Sequence, residues 1–268
     1  MNIKFPSRIV CLTDETTEWL YMLGQQDRIV GISGFTVRPP EARKEKPRIS
    51  AFLSAKIDFI LALKPDHVFG FSDLQADIAS KLIQNGLPVT IFNQRSVEEI
   101  FSMLYQVGSI VGESGEAIRQ IALIQAHLKG IKVKSETFKV RPKVYFEEWH
   151  SPCISGIQWV SELIEIAGGL DCFPELTLQP LAKDRIIHDE GMVIDRNPDI
   201  IIGSWCGKKF RGDRVAQREG WSNISAVKNQ QLFEIKSTYI LQPGPAALTE
   251  GINQIHRIIE NWQSYQSK

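Results

Sequence analysis

ALKPDHVFG (residues 62–70) and DRNPDIIIG (residues 195–203) carry the same punctuation: a helix end, a Pro-Asp turn, an apolar run too short for a helix, and a glycine where the chain leaves a sheet. Proline lacks an amide hydrogen and disfavours helical backbone in the residue before it, so Pro65 and Pro198 each mark a break ahead of a buried strand. The runs that follow hold branched and aromatic side chains without alternation, the pattern of strands covered on both faces by helices. Set about half a chain apart, they predict an α/β fold of two lobes with central parallel sheets and a ligand cleft between the lobes.

Outward from these runs, residues 8–12 and 28–32 read as strands, with DETTEWLYMLG (residues 14–24) as the helix between them. Asp14 is placed to cap that helix, Glu15 and Glu18 to complement its positive end, and Gly24 to stop it. GFTVRPP (residues 34–40) is too polar and broken for regular structure, and residues 89–92 form a further strand. Ser96 and Glu99 make a capping box for a helix running to Val111. Ile118, Ile121, Ala122, Ile124 and Leu128 recur at helical spacing across residues 114–134, with Gly130 as a late interruption. Residues 143–146 read as a strand, residues 156–167 as a helix ended by Gly168 and Gly169, and a last helix follows Pro245 to about Trp262. The organisation expected is an N-terminal lobe over residues 1–112, a bridging helix over 113–138, and a C-terminal lobe over 139–268.

Composition narrows the function. At 268 residues each lobe can bury its own core. The 31 basic residues balance 31 acidic ones without a basic stripe, which argues against nucleic acid and for a small-molecule or protein partner. The four cysteines, Cys11, Cys153, Cys172 and Cys206, make no CxxC pair and announce neither a zinc ribbon nor a disulfide framework. No apolar stretch approaches the roughly 20 residues needed to cross a bilayer. No charged lead and apolar core of a signal peptide opens the chain, so as written it reads as cytoplasmic, or as periplasmic or cell-surface if an export signal has been omitted.

Taken in order, LTDETTEWLYMLG (residues 12–24), RIVGIS (28–33), ALKPDHVFG, GIQWVSELIEIAGG (156–169), NPDIIIG (197–203), REGWSNISAVKNQQLFEI (218–235) and ILQPGPAALTEGINQI (240–255) resemble the vitamin B12 and iron-siderophore substrate-binding proteins of ABC importers. With its EW-containing segment and no signal peptide, the chain is similar to a signal-less, cobalamin-binding-like subgroup. The resemblance covers nearly the whole chain. It implies two α/β lobes bridged by one long helix, a monomer, and non-catalytic binding of a cobalamin-like corrinoid between the lobes, with an iron-siderophore or haem as alternatives. It also implies docking to importer membrane subunits through an acidic residue on each lobe. Asp58 holds that position in the first lobe; in the second the matching position is Gly191, with Glu190 beside it.

Aromatic side chains on loops are the first ligand candidates, because a corrin ring offers flat faces for them to cover: Phe35, Trp149, Trp205 and Trp221. Asp14, Glu15, Arg38 and Glu148 supply polar contacts to the ligand's edges. Glu147, Glu148 and His150 cluster in YFEEWHSP (residues 145–152), where a neutral imidazole is a ligand for cobalt or iron and a carboxylate can orient its second nitrogen. Cys206, in SWCGKK (residues 204–209), has Lys208 and Lys209 to stabilise a thiolate. An alternative is therefore a cytoplasmic thiol- or metal-dependent enzyme built on Cys206 and His150.

Overall fold

The computed structural model describes residues 4–51 and 54–266. The chain divides into two α/β units: one comprises the residues up to Gln94 with Glu98–Leu123, the other Arg95–Val97 with the chain from Ile124 onward.

In the first unit β1 (Ile9–Cys11), β2 (Ile29–Ser33), β3 (Arg48–Ser50), β4 (His67–Phe71) and β5 (Val89–Phe92) form a sheet in the order β3-β2-β1-β4-β5. Every pairing is parallel. The helices are α1 (Asp14–Met22), α2 (Ala42–Glu45), α3 (Ile57–Ala62), α4 (Ala76–Gln84), α5 (Val97–Ile110) and α6 (Ser114–Ser135). The boundary at Leu123 falls within α6, which runs unbroken through Gly130. Val10, Leu12, Ile49, Ile60, Val68 and Leu82 pack together as core. Thr13, rather than Asp14, holds the N-cap position of α1, so Asp14 is already helical. The short edge strand β3 interrupts the segment read as loop and helix.

The second unit contains β6 (Lys143–His150), β7 (Cys153–Ser155), β8 (Leu170–Asp171), β9 (Ile200–Gly203) and β10 (Leu232–Glu234). Its helices are α7 (Gln158–Ile166), α8 (Gly191–Arg196), α9 (Gly212–Ala216), α10 (Ser225–Lys228), α11 (Ser237–Ile240) and α12 (Ile252–Gln266), the last continuing from a π-helical turn at Ala247–Gly251. β6 pairs in parallel with β8 and β9, and β9 with β10. The expectation of a parallel sheet needs one correction here: β7 pairs antiparallel to β6, because the chain reverses at Ser151-Pro152 and lays Cys153 opposite His150. A second correction concerns β6, which extends to His150 and so carries Trp149 and His150 on the strand itself rather than on a loop.

The two Pro-Asp pairs perform one task. Asp66 donates its amide to the Arg8 carbonyl at 2.8 Å, and its carboxylate accepts from the Ser7 and Arg8 amides. Asp199 donates to the Lys143 carbonyl at 2.9 Å and accepts from the Lys143 amide at 2.9 Å. Each aspartate clamps the start of its strand to the start of the neighbouring one and sets the register.

Candidate functional site

In a parallel sheet all carboxyl ends lie along one edge, and ligands favour the point on that edge where the strand order reverses. In the first unit this point lies between β1 and β4, since β2 and β3 extend one way from β1 while β4 and β5 extend the other. The residue after β1 leads directly into Asp14, Glu15 and Glu18, all three buried in the first turns of α1. The Thr13 hydroxyl donates to Glu15 Oε1 at 2.6 Å, and Arg38, from the loop after β2, donates to Glu18 Oε1 at 2.8 Å. Burial pushes Glu15 up to about 7, with the neighbouring Asp14 and Glu18 charges adding to it. Burial likewise raises Asp14 to about 6, against the opposing influence of Thr36 and Arg43. After β4, Ser72 holds φ 64° and ψ 169°, a region L residues rarely enter, and its hydroxyl accepts from the Leu74 amide. Gln75 accepts from the Phe71 amide and donates to the Leu12 carbonyl at 3.4 Å, joining the ends of β4 and β1. Phe35 (61 % exposed) and Leu74 (50 %) leave apolar surface on loops of this edge.

The second unit gathers a different set. Strand register places Glu147 opposite Gly203, and the Ser204 amide donates to the Glu147 carbonyl, which brings Trp205 alongside the end of β6. The His150 ring stacks on Trp205, with centroids 4.5 Å apart and planes 30° apart, and Trp149 lies 4.9 Å away on a tilted plane. Lys208 Nζ sits 4.6 Å from the Trp149 ring centroid, a cation over an aromatic face. Phe210 meets Trp205 edge to face at 5.1 Å. These side chains make an aromatic ledge at the carboxyl end of the sheet. Burial, helped by the Lys208 charge, holds the His150 imidazole below its ordinary value and therefore neutral at pH 7. Its Nδ1 is buried and has no hydrogen-bond partner among the described residues.

Beneath the ledge, Glu147 (0 % exposed) accepts from Arg218 Nη1 at 2.6 Å, Arg218 Nη2 at 3.0 Å, Trp205 Nε1 at 3.0 Å and the Tyr145 hydroxyl at 3.0 Å. Burial works against the Arg218 charge, but the Glu147 carboxylate outweighs it and holds the guanidinium above its ordinary value. Arg218 Nη2 also reaches the His150 carbonyl at 3.4 Å. Next along β6, Glu148 accepts from the buried Arg185 at 2.8 Å. Burial still raises the Glu148 carboxyl despite that partner.

The structure brings Trp149, His150 and Trp205 together, with Glu148 adjacent in β6, and groups Asp14, Glu15, Phe35 and Arg38 along the edge of the other sheet; Trp205 needs correction as a ligand-facing loop aromatic, because it packs into the core of its unit behind the His150 ring. Cys206 is exposed on the loop after β9. Trp221 is a correction: it is fully buried in the core, edge-on to Tyr145, and presents no surface to a ligand. Arg218 and Arg185 were not legible as site residues from spacing alone; the available signal was the Glu147-Glu148 pair directly following the apolar run VYF, where a carboxylate carried into the sheet demands a buried partner. Asp58 is exposed in the first turn of α3, and Glu190 is exposed immediately before α8, where its Oε1 lies 3.5 Å from Cys153 Sγ. No disulfide links the cysteines, and no group of three or more potential metal ligands occurs among the described residues.

Comparison with known proteins sharpens this picture. A family model described as periplasmic binding protein matches residues 9–239. An uncharacterized ABC transporter substrate-binding lipoprotein of Bacillus subtilis is 24% identical over 261 residues, covering 94% of this chain and 79% of its own length. A vitamin B12-binding protein of Vibrio parahaemolyticus is 25% identical over 263 residues, covering 97% and 91%. Among solved structures, a possible iron-binding periplasmic solute-binding protein from Staphylococcus epidermidis superposes with a TM-score of 0.82 at 20% identity, over 96% of this chain and 99% of its own. The periplasmic vitamin B12-binding protein of Vibrio cholerae gives 0.76 at 19% identity, over 96% and 98%. At those identities the structural likeness is one of fold.

Proposed function

The chain belongs to the periplasmic binding protein family, and from that premise we propose that it is the substrate-binding component of an ABC-type importer and takes up a large, flat, metal-centred ligand, a cobalamin-like corrinoid before haem or an iron-siderophore. The reading assigns no catalytic step; the relatives are named as a substrate-binding lipoprotein and a vitamin B12-binding protein. Binding for import takes place outside the membrane, and relatives described as periplasmic or as a lipoprotein support a periplasmic or cell-surface location over a cytoplasmic one. No described helix is long and apolar enough to cross a membrane.

The observation that carries the ligand class is the ledge formed by the partly exposed Trp149 and His150, backed by the buried Trp205 (6 % exposed), which pairs flat apolar surface with a neutral imidazole. Such rings cover a macrocycle face, and a neutral imidazole donates its lone pair to cobalt or iron. On the first unit the exposed Phe35 and the half-buried Arg38 are the ligand contacts in this reading, while the buried Asp14 and Glu15 support that edge from beneath. The test is to incubate the protein with hydroxocobalamin, and in parallel with haemin, desalt, and record the visible spectrum. Corrin bands should travel with the protein and be shifted, and the shift should vanish in His150→Ala. Retention of haemin alone would move the ligand to haem, and retention of neither would overturn the reading.

A further inference from the structure

Glu147 engages more partners than any ligand contact named above, and none of those partners is a ligand. Its carboxylate draws donors from separate stretches of chain: Tyr145 on its own strand, Trp205 after β9, and Arg218 ahead of the turn at Trp221–Asn223. Two of these connections reach the ledge. Trp205 Nε1 is fixed on Oε1, which sets the plane of the indole, and Arg218 carries the hold onward to the His150 carbonyl. A buried ion pair is a weak source of stability, since a well-packed apolar replacement usually serves as well. A planar carboxylate that accepts from Tyr145, Trp205, both Arg218 nitrogens and, at 3.8 Å, the Cys153 thiol does something an apolar side chain does not: it fixes the orientation of its donors.

We propose that Glu147 is a positioning residue for ligand binding, clamping Trp205 and, through Arg218, the His150 main chain, so that the aromatic ledge is set before ligand arrives. The inference rests on the ledge being the ligand-contacting surface. A preorganised surface avoids the entropy cost of ordering its side chains on binding. Tyr145 is bound to the same carboxylate but packs edge-on to Phe173 and Trp221, whereas Trp205 stacks on His150, so Tyr145 serves as the control for loss of a hydrogen bond alone.

The experiment is a double-mutant cycle between Glu147→Gln and Trp205→Phe, read as affinity for hydroxocobalamin and for haemin, with Tyr145→Phe alongside. Glu147→Gln should weaken binding about tenfold in the wild-type background and only about threefold in Trp205→Phe, because the indole arm of the clamp is already absent there and only the Arg218–His150 arm is left to lose. Tyr145→Phe should leave affinity within about twofold. Equal losses in both backgrounds, or a Tyr145→Phe loss matching that of Glu147→Gln, would overturn the positioning role. Should Glu147→Gln fail to fold, Glu147→Asp, which keeps the charge and withdraws the carboxylate from both the indole and the guanidinium, takes its place in the cycle. The indole N–H resonances of the six tryptophans, followed in 15N-labelled protein, read the clamp without ligand. A Trp205 resonance unmoved by Glu147→Gln sinks the inference even if ligand binds. Failure of the wild type to bind either probe sinks the ligand reading instead, and the ligand role of Glu147 with it.

Discussion

Glu15 is a carboxylate held where its charge is unwelcome. It lies almost wholly buried, with Asp14 and Glu18 within one helical turn, and its value rises from 4.5 to about 7. Asp14 rises from 3.8 to about 6 for the same leading reason, burial. Between the unfolded and folded values the native protein retains a proton that the unfolded chain releases, so stability falls as pH rises from about 4 through about 7 and stays low above that. Glutamine keeps the size of Glu15 and an acceptor for Thr13 while removing the charge. Glu15→Gln should therefore be more stable than the wild type by about 2 kcal/mol at pH 8 and nearly equal to it at pH 4.5, measured by urea unfolding at both. An equal difference at the two pH values would show that Glu15 is not the group responsible. That a site residue carries such a penalty agrees with a binding edge kept polar at the expense of stability.

At the scale of elements, the ledge depends on how closely β9 lets the following loop fold back. A Cβ on Gly203 would lie 1.9 Å from Phe210 Cδ2, so the phenyl ring lies across the glycine and is supported by its bareness. Gly203→Ala must displace Phe210, which is edge-on to Trp205, and overpacking of this kind costs about 2 kcal/mol. The expected outcome is a lowered denaturation midpoint together with altered Trp205 fluorescence and weakened retention of hydroxocobalamin; unaltered stability would mean the loop rearranges without strain. The strands that position this site were legible where apolar runs were long and bracketed by proline or glycine, as in β4 and β9. β3 was not, because a three-residue edge strand beside EARKEKP carries no pattern of its own. The antiparallel β7 was hidden because Ser151 and Pro152 read as a loop entry whether or not the chain turns back to pair. Trp149 and His150 were identifiable as chemistry, yet their placement on β6 was not, since EEWH lacks the apolar continuity of VYF before it. The contacts that bind Glu147 to Arg218 span 71 residues and leave no local spacing to read.

For the molecule as a whole, 31 basic and 31 acidic side chains leave no net charge to steer the protein, and we propose that docking to importer membrane subunits rests on local carboxylates. Asp58 and Glu190 are the two we assign to that task, one on each unit, both exposed and both at the start of a helix. Helix-start carboxylates contribute only a few tenths of a kcal/mol to about 1 kcal/mol to stability, so removing them leaves the fold intact. Asp58→Asn and Glu190→Gln are the suitable variants, the second because it preserves an acceptor near the Cys153 thiol and so spares the ledge. Each should retain hydroxocobalamin as the wild type does while lowering the ATPase stimulation of the importer in vesicles, with the deficit relative to wild type largest at low salt and shrinking as salt screens the wild-type pair, and the two substitutions together should abolish it. Full stimulation by the double variant would remove both residues from docking. Loss confined to Asp58→Asn would mean that the second unit docks through another group, consistent with a glycine, Gly191, standing where the family resemblance calls for an acid.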